Sequence, residues 1–454
     1  MVNKLDQVLG ELVRQERQCT VPDAVRKRID ETLAALPEKR VLKRKRWALH
    51  GTVAAAVLAV LAVGSGFVSP TMAEALSKLP LIGSVFEDFG DTGLKQSSQQ
   101  GLTAVVGKKV QVGKDSVEVK EILYDGERLT VGFVWKAHQK IKEIPDFGYK
   151  VNGREYGGGF ALKGGMKDDH TFNGILDIEV HQDLSDSFTL NFLVRDKPEV
   201  GQRQKVLAQL DIPVKKANSK VDKHSLNHIE KLDDTTLKVK EISLGPSSTE
   251  LVVERTHKHL PDDFLERPRV DYTLIDSRGI VLQRLDRRGS GNRGVLFDRW
   301  TFAPVKQNPT HFEIVYKEMK PDLYGKPSPL GEFKMTHLPT PDQPIRVPLG
   351  EAGTILVKQI EFLPDKTKVH YQVSVKTPWH NPFDYMHVLE LKDKNGRKYH
   401  DRNFPRVEDP DTYSFLMELK PMKKEQIQSF VAPQVTFDPQ VKTLKFKVEL
   451  PEKK

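Results

Sequence analysis

This chain has little cysteine, no catalytic signature and one long stretch without charge. Its 454 residues contain a single cysteine, Cys19. A disulfide framework is excluded, so any exported fold has to rest on cores large enough to stand alone. One cysteine cannot make a Cys/His zinc site, and Cys19 reads as a small, partly buried apolar residue. Gly-x-Ser-x-Gly, His-Glu-x-x-His and a phosphate loop ending in Lys-Ser/Thr are all missing. Neither an enzyme nor a metal or other cofactor is expected. The hydrophobic content of 38% is adequate for globular cores. The net charge of +9 is uneven. Residues 1–46 hold 12 Lys+Arg against 7 Asp+Glu, which leaves 59 against 55 for the rest. The basic excess therefore marks the N-terminal segment, and direct nucleic-acid binding by the remainder is not expected.

Asp, Glu, Lys and Arg are absent from residues 47–69, a run long enough to cross a bilayer core of about 30 Å as a helix. Lys43, Arg44, Lys45 and Arg46 precede it directly and form a membrane flank, whereas the first charges beyond it are Glu74 and Lys78. Positive flanks stay in the cytoplasm. The expected topology is single-pass in the cell membrane, with the N-terminus cytoplasmic and the C-terminal bulk extracellular. Ala73-Glu-Ala75 fits a small-x-small cleavage pattern. The long charged region ahead of it, and an apolar run above about 15 residues, favour a retained anchor.

Residues 1–46 read as a cytoplasmic segment of two short helices. Leu5, Val8, Leu9, Leu12 and Val13 recur at helical spacing. Thr20, Pro22 and Asp23 then suit a helix start, and Val25, Ile29, Leu33 and Leu36 form one stripe that ends at Pro37. The segment is too small for an enzyme core, so binding is its expected task. The candidate partner-binding residues are Leu5, Val8, Leu9, Leu12, Val25, Ile29, Leu33 and Leu36. Residues 70–104 follow as a juxtamembrane collar, with Leu76, Leu79, Val85, Phe86 and Phe89 on helical turns broken near Pro80 and Gly83. The collar is also where a protease would act once the outer part is disturbed. The polar run 95–100 reads as a loop.

Beyond this point the pattern is β and it repeats. Val117-Glu-Val-Lys-Glu-Ile122, Leu237-Lys-Val-Lys-Glu-Ile242 and Ile355-Leu-Val-Lys-Gln-Ile360 lie about 120 residues apart. Each leads through a turn, at Asp125-Gly126, Gly245-Pro246 or Pro364-Asp365, into a second alternating strand. A later turn recurs at 151–156, 274–280 and 391–399. Closing strands are expected at 188–194, 312–316 and 444–450, and similar exits at 210–214 and 345–349. The fold class expected is mainly β: three tandem immunoglobulin-like β-sandwich modules at 105–217, 221–350 and 351–454, after one transmembrane helix and a short helical cytoplasmic segment. Residues 217–223 read as the first linker.

Other candidates are weak. His257 and His259 would share a strand face, and His224 and His228 a helix face. Neither pair has an acid pattern beside it, so no metal site is expected. The Gly157–Gly159 and Gly164–Gly165 clusters read as hairpin flexibility, and the basic run 286–293 as a solvated loop.

The motif Val21-Pro-Asp-Ala-Val-Arg-Lys-Arg-Ile-Asp-Glu-Thr-Leu33, the anchor, and the stretch from Ser69-Pro-Thr-Met-Ala to Ile82-Gly-Ser-Val-Phe86 resemble a family of single-pass membrane proteins from Gram-positive spore-formers. The family carries a domain of unknown function. The resemblance covers about the first 220 residues and is looser beyond them. It implies a negative effector, an anti-sigma factor, of an extracytoplasmic-function sigma factor. The His-x-x-x-Cys-x-x-Cys pattern of the zinc-binding anti-sigma class is absent. The expected partners are then the membrane, a sigma factor inside, and an extracellular ligand or wall component of unknown identity. An alternative is an anchored adhesion or structural wall-facing protein. A third is an exported enzyme or carbohydrate-binding protein.

Overall fold

The computed structural model describes residues 84–451, apart from 181–183, 198–203, 293, 322–327 and 402–404. All of them belong to the unit Pro70–Lys454. This part is mainly β, in antiparallel sheets, with two short helices at its start. No helix among the described residues is long and apolar enough to cross a membrane. The run at 47–69 lies outside them.

The first region begins with α1 (Val85–Phe89) and α2 (Thr92–Gln99). Its strands are β1 (Thr103–Val112), β2 (Asp115–Tyr124), β3 (Leu129–Lys136), β4 (Asp146–Val151), β5 (Phe160–Asp168), β6 (Thr171–Ile178), β7 (Ser187–Arg195) and β8 (Val206–Lys215). A sheet in the order β1-β2-β3-β6-β5 faces a second one, β4-β7-β8. Alternation along each strand turns one set of side chains inward. Phe133 from one sheet meets Phe147 and Phe192 from the other, with ring centroids 4.4 and 5.1 Å apart.

The later strands are β9 (Asp222–Leu232), β10 (Thr235–Leu244), β11 (Thr249–His257), β12 (Arg269–Asp276), β13 (Arg284–Asn292), β14 (Val295–Phe302) and β15 (His311–Met319). They are followed by β16 (Leu330–Lys334), β17 (Ile345–Pro348), β18 (Gly353–Phe362), β19 (Thr367–Val375), β20 (Glu390–Asp393), β21 (Lys398–Tyr399), β22 (Arg406–Asp409), β23 (Ser414–Leu419), β24 (Ile427–Pro433) and β25 (Lys442–Glu449). In the second region β13-β14-β11-β10-β9 faces β12-β15-β25. In the third, β17-β18-β19-β23-β22 faces β16-β24-β20-β21.

The repeated motif has a structural cause. The hairpins β2–β3, β10–β11 and β18–β19 each shift register at the same place, between Val119 and Glu121, Val239 and Glu241, and Val357 and Gln359. The extra residue is a lysine every time: Lys120, Lys240 and Lys358. Such a bulge bends the strand and turns the next side chain onto a different face. The motif therefore encodes a kink as well as a strand.

The third copy departs from the repeat pattern. Residues 444–450, expected to close the third module, form β25 and pair with β15 of the second region, where Phe446 and Val448 enter its core. The strand that occupies the corresponding place in the third region is β24, which ends at Pro433 and has little alternation to reveal it. Residues 345–349, expected as an exit from the second module, contain β17 and open the third region's larger sheet beside β18. β16 meanwhile sits beside β24, in the position that β8 holds beside β7. The last two regions thus exchange a strand. An alternating strand offers one apolar face to whichever sheet has a free edge, so its own pattern cannot name the sheet.

Four further expectations are corrected. The polar run 95–100 lies largely within α2, because Asp91 caps that helix and Leu94 and Ser97 suffice to seat it. Gly164 and Gly165 lie within β5, and residues 286–292 of the basic run within edge strand β13. His224 and His228 lie on β9, where His228 stacks on Phe446 and bonds to Glu230, in place of sharing a helix face.

Candidate functional site

The bulge in β2 places Glu121 on the outer face of the first region's larger sheet. The equivalent Glu241 and Gln359 stay partly or fully open to solvent, but Glu121 is 0% exposed because α1 and α2 cover it. Phe86 seats on Gly132, where a Cβ would press against its ring. Val85, Phe86 and Leu94 join Leu123, Val134 and Ile175 in a small separate core. Burying one such side chain fully is worth about 1.5–3 kcal/mol.

Two polar clamps fix the helices there. In the first, Ser84 donates its hydroxyl to Glu121 at 2.9 Å, and the Phe86 amide donates to the same carboxylate at 3.0 Å. Ser84 also caps α1 by accepting from the Glu87 amide at 3.1 Å. A carboxylate suits the orphan amides at a helix start. Burial raises the Glu121 pKa above its ordinary value, and the Phe86 and Ser84 hydrogen bonds oppose that rise. In the second clamp, Asp91 caps α2 through the Leu94 amide at 3.0 Å and takes a bidentate contact from Arg128 at 3.0 and 2.6 Å. Arg128 also reaches Asp177 at 3.1 Å, which holds Thr130 at 2.5 Å and Lys163 at 2.9 Å. Burial works against the Arg128 charge, yet Asp177 and Asp91 outweigh it and keep the guanidinium firmly protonated. Two cations and two carboxylates balance, which is the condition for burying them without a large penalty.

α2 also reaches the second region. Thr92 donates to Gln283 at 2.9 Å. Gly93 lies so close to the Ser247 carbonyl that any Cβ would collide with it. Around this point the first and second regions meet through polar groups. Ser247 donates to Asp125, Lys223 pairs with Glu127 at 2.5 Å, and Lys163 reaches the Leu285 carbonyl at 3.2 Å. Glu250 pairs with Arg299 at 2.6 Å and lies against Glu127. Burial first, opposed by Arg299 and aided by the Glu127 charge, pushes the Glu250 carboxyl up to about 7. A cavity of about 850 Å³ opens beside α2, walled by all three regions.

This is a mechanical arrangement: one short segment wedged where the β regions meet and held by buried charge. Among the described residues no group of three His, Cys, Asp or Glu side chains could hold a metal ion. His257 ends β11, and its ring accepts from the His259 amide at 3.1 Å. The partner-binding candidates Leu5, Val8, Leu9, Leu12, Val25, Ile29, Leu33 and Leu36 lie outside the described residues, as do Cys19 and the flank Lys43, Arg44, Lys45 and Arg46. Glu121, Arg128, Asp91 and Asp177 escaped the sequence reading. The only trace of Glu121 was its place after the repeated valine, and the acidic residues pair across 37 and 49 positions of chain.

Residues 43–137 match the family model described as "Domain of unknown function (DUF4179)". The match takes in the collar helices, β1–β3, Glu121 and Arg128. No curated protein matches the chain. Among solved structures, the chain is similar to the conserved domain protein from Bacillus anthracis, at 12% identity and a TM-score of 0.42. That likeness covers 51% of this chain and 81% of the other.

Proposed function

We propose that this protein is a single-pass membrane regulator, an anti-sigma factor. Its cytoplasmic helices hold an extracytoplasmic-function sigma factor, the run 47–69 is the transmembrane helix, and its immunoglobulin-like modules outside respond to an envelope signal. One observation supports this reading. The segment that follows the apolar run in sequence is sealed against the first β region by Glu121 and Arg128, at the place where the β regions meet. A spacer needs no such clamp. A regulator does, because a signal that shifts the β regions would free α1 and α2, and release would follow proteolysis near residues 70–90. Cutting there would release the inner segment and its partner.

The test uses the full chain, expressed in its membrane with a tag at the C-terminus. A sigma factor identified by mass spectrometry is expected to co-purify, and Ile29→Asp is expected to abolish this while leaving membrane insertion unchanged. If scrambling residues 1–46 with their charge kept alters neither recovery nor phenotype, the regulator reading fails. An anchored adhesion or structural role then remains.

A further inference from the structure

The cavity beside α2 has a chemistry that the clamp does not use. Its volume of about 850 Å³ falls in the range of small-molecule sites. Phe89, Leu162 and Met166 give it an apolar wall that is open to the cavity. Of the six Lys or Arg side chains in its lining, Lys163 is paired with Asp177 and Arg284 with Asp271 and Asp384, which leaves Lys95, Lys167, Lys366 and Arg406. Arg406 and Lys366 share the single carboxylate of Glu418, at 2.9 and 3.1 Å. Lys95 and Lys167 make no ion pair among the described residues. Burial, and then the charge of Arg406, lower the Lys95 pKa, and the Glu87, Asp91 and Asp88 carboxylates partly oppose that. Lys95 is thus held near the Arg406 charge in a half-enclosed space without an ion pair of its own, and a bound anion would relieve that repulsion.

The geometry points to a binding site for an amphipathic anion, a phosphate or carboxylate head on an apolar body. The head lies between Lys95 of α2 and Arg406 of β22, and the body lies against Phe89, Leu162 and Met166. The ligand ties the collar to the third region across the cavity and so adds a hold on α2 that neither clamp supplies. This goes beyond the regulator reading and stands without it, because binding is read on the protein alone whether or not a sigma factor is held.

Isothermal titration on the purified full chain in nonionic detergent tests it, with 1-naphthyl phosphate as the probe. Saturable binding of one equivalent is expected, at least tenfold tighter than for neutral naphthyl glucoside or for inorganic phosphate. The Lys95→Gln/Arg406→Gln variant should lose tenfold or more. Lys167→Gln, at an exposed position, should lose severalfold with its thermal unfolding unchanged, which covers the case of a misfolded double variant. Equal binding of the neutral glucoside, or undiminished binding by both variants, overturns the proposal. Inorganic phosphate binding as tightly as the probe overturns the apolar half of it. Short-chain phosphatidylglycerol as competitor separates the sources: displacement assigns a membrane lipid, and no displacement assigns a soluble anion of the same chemistry.

Discussion

The joint between the first and second β regions and the joint between the second and third are built on different physics. The first is polar: Ser247 on Asp125, Lys223 on Glu127, Glu250 against Glu127, and no apolar cluster shared across it among the described residues. The second is apolar and topological. Ile275, Val281 and Val315 of the second region belong to the third region's core, and β25 returns from the third to complete the second. Charged contacts at a joint respond to pH and ligands, and the exposed ones to salt as well. A shared core with an exchanged strand separates only if both regions lose a layer. The collar is wedged at the polar joint.

Breaking the rigid joint should have the largest effect. Val448 is 1% exposed, and Val448→Asp places an unpaired charge in the second region's core, at a cost of about 5 kcal/mol or more. Hydrogen exchange should show the second and third regions losing protection together while β2 and β3 keep theirs. Protection retained in β18–β19 would mean that the exchanged strand does not couple the two.

Next in size is the clamp. Arg128→Ala leaves Asp91 and Asp177 buried without their shared cation, a loss of about 3–5 kcal/mol. If most of that falls on the collar, limited proteolysis within residues 84–100 should accelerate roughly 10²–10³-fold, since each 1.4 kcal/mol is tenfold. Unchanged cleavage would locate the hold in the Phe86 seat and Glu121 instead.

The smallest effect is a pH dependence confined to the polar joint. Glu250 binds its proton more tightly folded than unfolded, since its pKa rises from 4.5 to about 7. Stability should therefore fall as pH rises through that window and level off above it. Glu250→Gln should remove a change on the order of 1–3 kcal/mol between pH 5 and 8, read by urea unfolding followed on β9–β11. An equal slope in the variant would assign the titration to another group.

Much of this fold was legible in the chain. Period-two alternation and turn residues located the repeated hairpins, because a strand half-buried in a sheet has to alternate and a tight turn has to use Gly, Asp or Pro. The clamps were not legible. Arg128 and Glu121 look like any charged residues near a turn or strand, and nothing local tells a solvated carboxylate from one sealed under a helix.

The sequence by itself determined the uneven charge, the absence of a disulfide frame, the apolar run at 47–69 and the threefold repeat with its kinked valine-lysine motif, all of which depend on residues near one another along the chain. Only the tertiary structure decided that β25 leaves the third region for the second, that Glu121 alone of the three equivalent positions is buried, and that α2 stands where the regions meet. Those outcomes depend on which sheet edge and which face remain uncovered once the regions are folded, and no local pattern carries that information.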